Sequence, residues 1–330
     1  MTRLSEDDLI ARYFAPLALH PGAHGLKDDA AVLSPLPGES LVVTTDALVA
    51  GVHFLPDDEP GLIARKGLRV NLSDLAAKGA VPHGFLLSLA LPEGWTQDWL
   101  AAFAAGLAAD ATDFAFPLVG GDTVRTPGPL MLSITAFGLV SGTTVPRRTG
   151  AQPGQGLYVT GTIGDGALGL LAHTGRDEDF RSFLSLEQRE ALIGRYLLPQ
   201  PRVALATAVK RHAAAAMDIS DGFVGDLSKL LAASQVSAEV CLDAVPLSPA
   251  ARAAVAASPQ RLETALTGGD DYELLLAVAP EHEAAFENAA AEAGIAVARI
   301  GEVHGGAVPP RFLTSGGTER IFARGGFSHF

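Results

Sequence analysis

The chain has 330 residues, 48% hydrophobic and 18% charged, with 24 Lys and Arg against 37 Asp and Glu for a formal net charge of −13. That length exceeds what one core usually organises, so two domains are expected, and the apolar fraction excludes a disordered chain. The negative balance argues against nucleic acid or an anionic membrane as partner, and a single cysteine, Cys241, excludes an internal disulfide or a CxxC pair.

The opening MTRLSEDDLIARYF carries acids where a secretory signal needs a basic and then an apolar stretch. In chain order the patterning predicts a strand at Leu41–Thr45, a helix at Pro60–Lys78, a strand at Phe85–Leu91, a helix at Thr96–Thr112 and strands at Leu130–Val140 and Leu157–Thr160. Helices follow at Pro201–Ala213 and Phe223–Ala233, then strands at Glu239–Leu242 and Tyr272–Val278, a helix at Glu281–Ala293 and a strand at Val297–Ile300. The alternation indicates an α/β or α+β fold. The longest apolar segment, Leu130 to Val140, is too short to span a bilayer, so a cytoplasmic location is expected. Pro, Gly and Gln cluster in VPRRTGAQPGQG, residues 145–156, which divides the chain into domains at 1–145 and 146–330. Cys241, within VCLDAV, reads as an inert core residue.

Acids recur where strands end or turns begin: Asp28 and Asp29 in LKDDAAVL, Asp46 in VVTTDALV, Asp74 in NLSDLAAKG, Asp122 in GGDT, Asp218 and Asp221 in DISDG, and Asp270 and Asp271 in GGDDYELL. Singly, each reads as an N-cap or a turn residue. Together they repel unless cations or hydrogen bonds compensate them. Carboxylates with the hydroxyls of Thr44, Thr45 and Ser220, and no His or Cys pairs, suit Mg²⁺ better than zinc and point to phosphate chemistry. At this level a Mg²⁺-dependent phosphohydrolase fits as well as a phosphotransferase.

Within the helix at 60–78, Asn71, Asp74 and Lys78 share a face, so Asp74 either projects toward the acids or pairs with Lys78. His53 follows the Thr-Thr-Asp turn, and Arg147 and Arg148 sit at the domain boundary, where a guanidinium suits a phosphate. Gly164, Gly166 and Gly169 satisfy G-x-G-x-x-G, but no acid-ended strand follows at the ribose distance. The segment reads as a strand-to-helix turn whose backbone N–H groups are of the kind that cradle phosphate. P-loop, HExxH and GxSxG motifs are absent.

Taken in order, DDAAVL, TTDALVAGVHF, NLSDLAAKGAVP, GGDTVR, RRTGAQPGQGLYVTGTIGDGALGL, YLLPQPR, MDISDGFVGDL and LTGGDDYELL resemble the motif series of the thiamine-monophosphate kinase family, within the aminoimidazole ribonucleotide synthetase-like ATP enzymes. The resemblance implies an N-terminal α/β domain, residues 1–145, that binds ATP and Mg²⁺ and pairs with its twin in a homodimer. A C-terminal α/β domain, 146–330, would complete the ATP and substrate site in a cleft between the two. The implied reaction is direct transfer of the ATP γ-phosphoryl group to thiamine monophosphate, with no phosphoenzyme and no catalytic side chain. By position, Asp29, Thr44, Thr45, Asp46, Asp74, Asp122, Asp218 and Asp221 match Mg²⁺ ligands, and Gly121, Asp122, Arg148 and Ser220 match ATP contacts. His53, Asp270 and the tail aromatic Phe327 match contacts to thiamine monophosphate. The chain departs from the pattern at Asp270, where Glu is usual, and in a GGFSHF tail where GYDHF or GWxHF is typical.

Overall fold

In ESLVVTTDALV the side chains alternate between half-buried and exposed, and the segment forms strand β1 (Glu39–Val49), packed on one face only. It belongs to a computed structural model describing residues 5–28, 30–175, 180, 182–323 and 325–327. The chain divides into two compact units, Met1–Leu75 with Ala80–Thr143, and Ala76–Gly79 with Thr144–Phe330.

The first unit begins with short helical turns, α1 (Glu6–Leu9) and further turns as far as Leu26. β1 is followed by α2 (Pro60–Ala77), β2 (Val81–Leu91), α3 (Gln97–Asp113), β3 (Leu118–Arg125) and β4 (Met131–Ser141). The sheet order is β1-β4-β2-β3, with β2 and β3 parallel and the other pairs antiparallel. On β4, Leu132, Ile134 and Ala136 are fully buried, while the residues between them are half-buried on the other face. α2 and α3 cross closely enough that a Cβ on Gly106 would fall 2.3 Å from Gly61 O. Buried Asp110 of α3 is held by Arg65 and Arg69 of α2 at 2.8 and 2.6 Å.

The second unit contains β5 (Gly156–Thr160), α4 (Asp165–Thr174), α5 (Leu186–Leu197), α6 (Ala206–His212), β6 (Ala213–Ile219), α7 (Phe223–Ser234) and β7 (Ser237–Cys241). It continues with α8 (Pro249–Ala257), α9 (Arg261–Thr267), β8 (Glu273–Val278), α10 (Pro280–Glu292), β9 (Val297–His304) and β10 (Arg311–Leu313). These strands form one sheet of order β10-β7-β9-β5-β8-β6. Both faces are covered: Val159, Met217 and Leu275 pack with Phe223 and Leu227 of α7, whereas Tyr158, Ala216 and Leu276 pack with Val209 and Phe286. β8 is accordingly buried at every position, the expected reading of its near-continuous apolar run.

The predicted helix at 201–213 is shorter than expected: a 3-10 turn at Val203–Leu205 leads into α6, and the alanine run after it is strand β6. Intrinsic preference would make Ala213–Ala216 helical, but pairing with β8 overrides it. Beside β6, the elements α1, β3, α5, α8, α9 and β10 are additions to the predicted ones. Cys241 is half-buried at the end of β7 instead of lying in the core.

Candidate functional site

Period two along β1 decides which of its polar residues act together. Thr44 and Asp46 share the face that packs on α2, and the Thr44 hydroxyl donates to Asp74 Oδ2 at 2.5 Å. Thr45 points to the opposite face, where its hydroxyl donates to Ile134 O at 3.0 Å and accepts from Thr135 Oγ1 at 3.2 Å. Asp122 pairs with Ser88 in the β2–β3 ladder and is exposed on that second, open face. Thr44, Asp46 and Asp74 are thus one group and Thr45 with Asp122 another. Asp29 lies outside the described residues.

Gly121 and Asp122 line a cleft of about 780 Å³ together with Phe14, Leu86, Leu118 and Phe137. Its volume, and walls that mix apolar side chains with Asp28, Ser88, Asp122, Thr123 and Thr135, are those of a site for a small polar molecule. Gly121 allows backbone approach here, since a Cβ would fall 2.0 Å from Leu87 O. His53 follows β1 in a turn held at both ends of the residue. Its Nδ1 accepts from Val49 N–H at 3.0 Å, and its carbonyl accepts from buried Lys66 Nζ at 3.0 Å. The first bond places the ring proton on Nε2. Of the predicted helix face, Asn71 turns into the core and bonds Gly67 O, while Lys78 donates to Ala216 O at 2.7 Å and Pro146 O at 3.3 Å.

In the second unit, β6 ends at Asp218 and Ile219, and the chain turns through Ser220, Asp221 and Gly222 into α7. Asp226, in the first turn of α7, accepts the N–H groups of Ser220 (3.1 Å) and Asp221 (2.9 Å) through Oδ2. Lys229 Nζ donates to Asp226 Oδ1 at 2.8 Å and Asp221 Oδ2 at 2.5 Å. Burial pushes Asp226 above the usual carboxylate value, against the pull of Lys229. Burial lowers Lys229, but its bonds to the two acids outweigh that and raise it. The tail docks on the same loop, with Phe327 N–H donating to Asp221 O at 2.8 Å and the ring half exposed. The loop before β8 joins them: Asp270 N–H donates to Ser220 O at 2.9 Å. Asp218, Ser220, Asp221, Asp270 and Phe327 are therefore gathered in one region. Arg148 is exposed at the start of a short turn, its carbonyl accepting from Ser234 Oγ at 2.6 Å.

The G-x-G-x-x-G turn is filled by the protein itself. Asp271 Oδ2 accepts from Gly164 N–H at 2.7 Å and Oδ1 from Gly166 N–H at 3.0 Å, so a carboxylate occupies the place a phosphate would take. Burial pushes the Asp271 carboxyl well above its ordinary value, while these two N–H groups pull it back. Gly169 serves packing, since a Cβ there would fall 2.1 Å from Leu192 O of α5.

Among the described residues no three His, Cys, Asp or Glu side chains converge as a ready-made metal cage. The donors present fit Mg²⁺, because Thr44 with Asp46 and Asp74, and Ser220 with Asp218 and Asp221, are oxygen-only sets, and Mg²⁺ takes few protein ligands. Sequence reasoning passed over Asp226 and Lys229. Their spacing of three on one helix is a weak signal, and the contact to Asp221 bridges a turn.

Residues 27–140 match the family described as AIR synthase related protein, N-terminal domain, and residues 152–309 match its C-terminal domain. The chain is 47% identical over 303 residues to the thiamine-monophosphate kinase of Caulobacter vibrioides, spanning 90% of this chain and 84% of that one. Among solved structures, thiamine-monophosphate kinase from Stenotrophomonas maltophilia K279a aligns with a TM-score of 0.78 and 40% identity over 88% of this chain and 90% of that one. AaThiL complexed with AMPPCP and TMP aligns with a TM-score of 0.78 and 28% identity over 100% and 99% of the two chains.

Proposed function

The chain belongs to the thiamine-monophosphate kinase family of AIR synthase related proteins, and from that premise we propose how its acids, glycines and loops serve the reaction. The enzyme transfers the γ-phosphoryl group of ATP to the phosphate of thiamine monophosphate, giving thiamine diphosphate and ADP. An acceptor phosphate oxygen bonds to the γ-phosphorus as the bond to the β,γ-bridging oxygen breaks, so the protein positions and neutralises charge and supplies no nucleophile. Support comes above all from the full-length likeness to a structure holding an ATP analogue and thiamine monophosphate together.

Mg²⁺, when bound, offsets the repulsion between two anionic reactants. Thr44, Asp46 and Asp74 in the first unit and Asp218 and Asp221 in the second are the residues that would hold it, with Asp29, Thr45 and Asp122 as further family positions. Gly121 and Asp122 admit the nucleotide to the 780 Å³ cleft, and Arg148 and Ser220 contact its phosphates. His53, Asp270 and Phe327 contact thiamine monophosphate. In this reading residues 1–145 bind nucleotide and metal, and residues 146–330 complete the site.

The open sheet face of the first unit is the homodimer surface. It exposes Leu41 and Val43 of β1 and Val81 of β2, at 38%, 54% and 55%, an apolar strip suited to a second copy. No helix among the described residues is long and apolar enough to cross a membrane. The lone cysteine and the need for ATP favour the cytoplasm.

The test is an end-point assay of purified protein with ATP, Mg²⁺ and thiamine monophosphate, the products resolved by chromatography. Equal amounts of thiamine diphosphate and ADP, absent without Mg²⁺, are expected. Inorganic phosphate without thiamine diphosphate would favour a hydrolase. A light-scattering mass near that of one chain would sink the dimer.

A further inference from the structure

The segment Asp270–Asp271–Tyr272 faces two ways. Asp270 N–H donates to Ser220 O at 2.9 Å and Tyr272 N–H to Ile219 O at 2.8 Å, so its backbone holds the end of β6 and the loop after it, which carry Asp218 and Asp221. Between these bonds the Asp271 side chain, 2% exposed, turns back onto Gly164 and Gly166 at the start of α4. Asp270 and Tyr272 have φ of 63° and 51°, a left-handed conformation that side chains with a Cβ avoid unless their surroundings impose it. Packing is close on both sides: a Cβ on Gly166 would fall 2.3 Å from Asp270 O, and one on Gly269 would fall 2.4 Å from Ser220 O.

We propose that Asp271 is a positioning residue: its carboxylate anchors the left-handed segment to the α4 turn, and the segment in turn sets the 218–221 loop and the Asp270 side chain in place for metal and acceptor. Asp271 touches neither ligand in this arrangement. The proposal rests on the kinase reading for the role of the loop. It gives the glycines of the α4 turn a purpose other than binding a nucleotide, since they are the receptor for an internal carboxylate.

Asp271→Asn keeps the shape but sets an NH₂ group against one of the two N–H donors. In the full chain, half-saturating Mg²⁺ and the KM for thiamine monophosphate are expected to rise about 10- to 100-fold, the range seen when a partner behind a metal ligand is lost, with kcat changing less. Calorimetric titration with Mg²⁺ alone is expected to weaken in parallel. Gly166→Ala, which pushes on Asp270 from the α4 side, should give the same split if Asp271→Asn folds poorly. Tyr158→Phe, which removes a 2.8 Å bond to Glu287 elsewhere in the unit, should lower Tm and leave both constants unchanged. Wild-type Mg²⁺ binding and KM in Asp271→Asn and Gly166→Ala, with only Tm reduced, would overturn the proposal. A wild-type protein that binds Mg²⁺ but forms no thiamine diphosphate would instead defeat the kinase reading, and the Mg²⁺ titrations of the variants would still judge the clamp.

Discussion

Gly120-Gly121-Asp122 runs along the open edge strand β3, whereas Gly268-Gly269-Asp270 turns the corner between α9 and β8. The same tripeptide uses its glycines for different ends. Gly121 is outside the left-handed region and is required because β2 presses on it, with Leu87 O 2.0 Å from where a Cβ would be. Gly269 has φ of 79° and packs on Ser220 O. The acids differ in the same sense: Asp122 is exposed beside a cleft, while Asp270 is half-buried and tied to the Asp218–Asp221 loop. A short repeat in sequence is therefore no repeat in structure, because neighbouring elements decide what a flexible tripeptide does.

The largest expected effect separates function from stability in the first copy. Asp122→Ala should lower turnover by about 100-fold or more while leaving Tm nearly unchanged, since exposed substitutions away from special features cost roughly 0.5 kcal/mol or less; Asp46→Ala should behave alike in turnover. Kinetics beside a thermal melt check both. Full activity in Asp122→Ala would remove the contrast between the two copies.

Gly269→Ala tests the second copy from the stability side. A left-handed alanine that also meets Ser220 O should cost about 1–3 kcal/mol, several degrees of Tm for a unit of this size. An unchanged melting curve would show that the corner relaxes freely.

A smaller change is expected from Lys229→Met. In the proposed site Lys229 would compete with Mg²⁺ for Asp221, and its exposed ion pair with Asp221 is worth at most ~1 kcal/mol. Half-saturating Mg²⁺ should fall by about fivefold or less, measured as turnover against Mg²⁺. A rise would mean that Lys229 instead holds Asp221 in position.

The smallest effect lies away from both copies. His212 and His282 approach to 3.4 Å between their Nδ1 atoms, and burial, then His282, lowers the His212 pKa below 6.5. A base with a depressed folded pKa leaves stability intact above pH 6.5 and withdraws it as pH falls from there through the folded value. His212→Gln should flatten that decline in denaturant melts taken across this range, and an equally steep decline would assign it to other groups.

Much of the fold was legible because the signals were local and strong. Leu130–Val140 alternates with period two, and Pro60 begins a helix whose apolar residues recur at helical spacing. α5 was readable and passed over, since Ser185 and Gln188 form a capping box before an apolar run. β3 and β6 were not, because Gly-Gly and Ala-Ala-Ala-Ala carry no strand preference and become strands only by pairing with β2 and β8.

The amino-acid sequence by itself determined the family, the two α/β domains and which acids are candidates for phosphate chemistry, since residue type and order along the chain are enough for those. Tertiary structure decided which acids act together. The pleat of β1 turns Thr45 away from Thr44 and Asp46, a helix brings Asp74 within 2.5 Å of Thr44, and a buried carboxylate 107 residues away from Gly164 fills a turn that reads as a phosphate cradle. Such contacts join residues far apart in the chain, and they exist only once backbone N–H groups have lost water and must find partners within the fold.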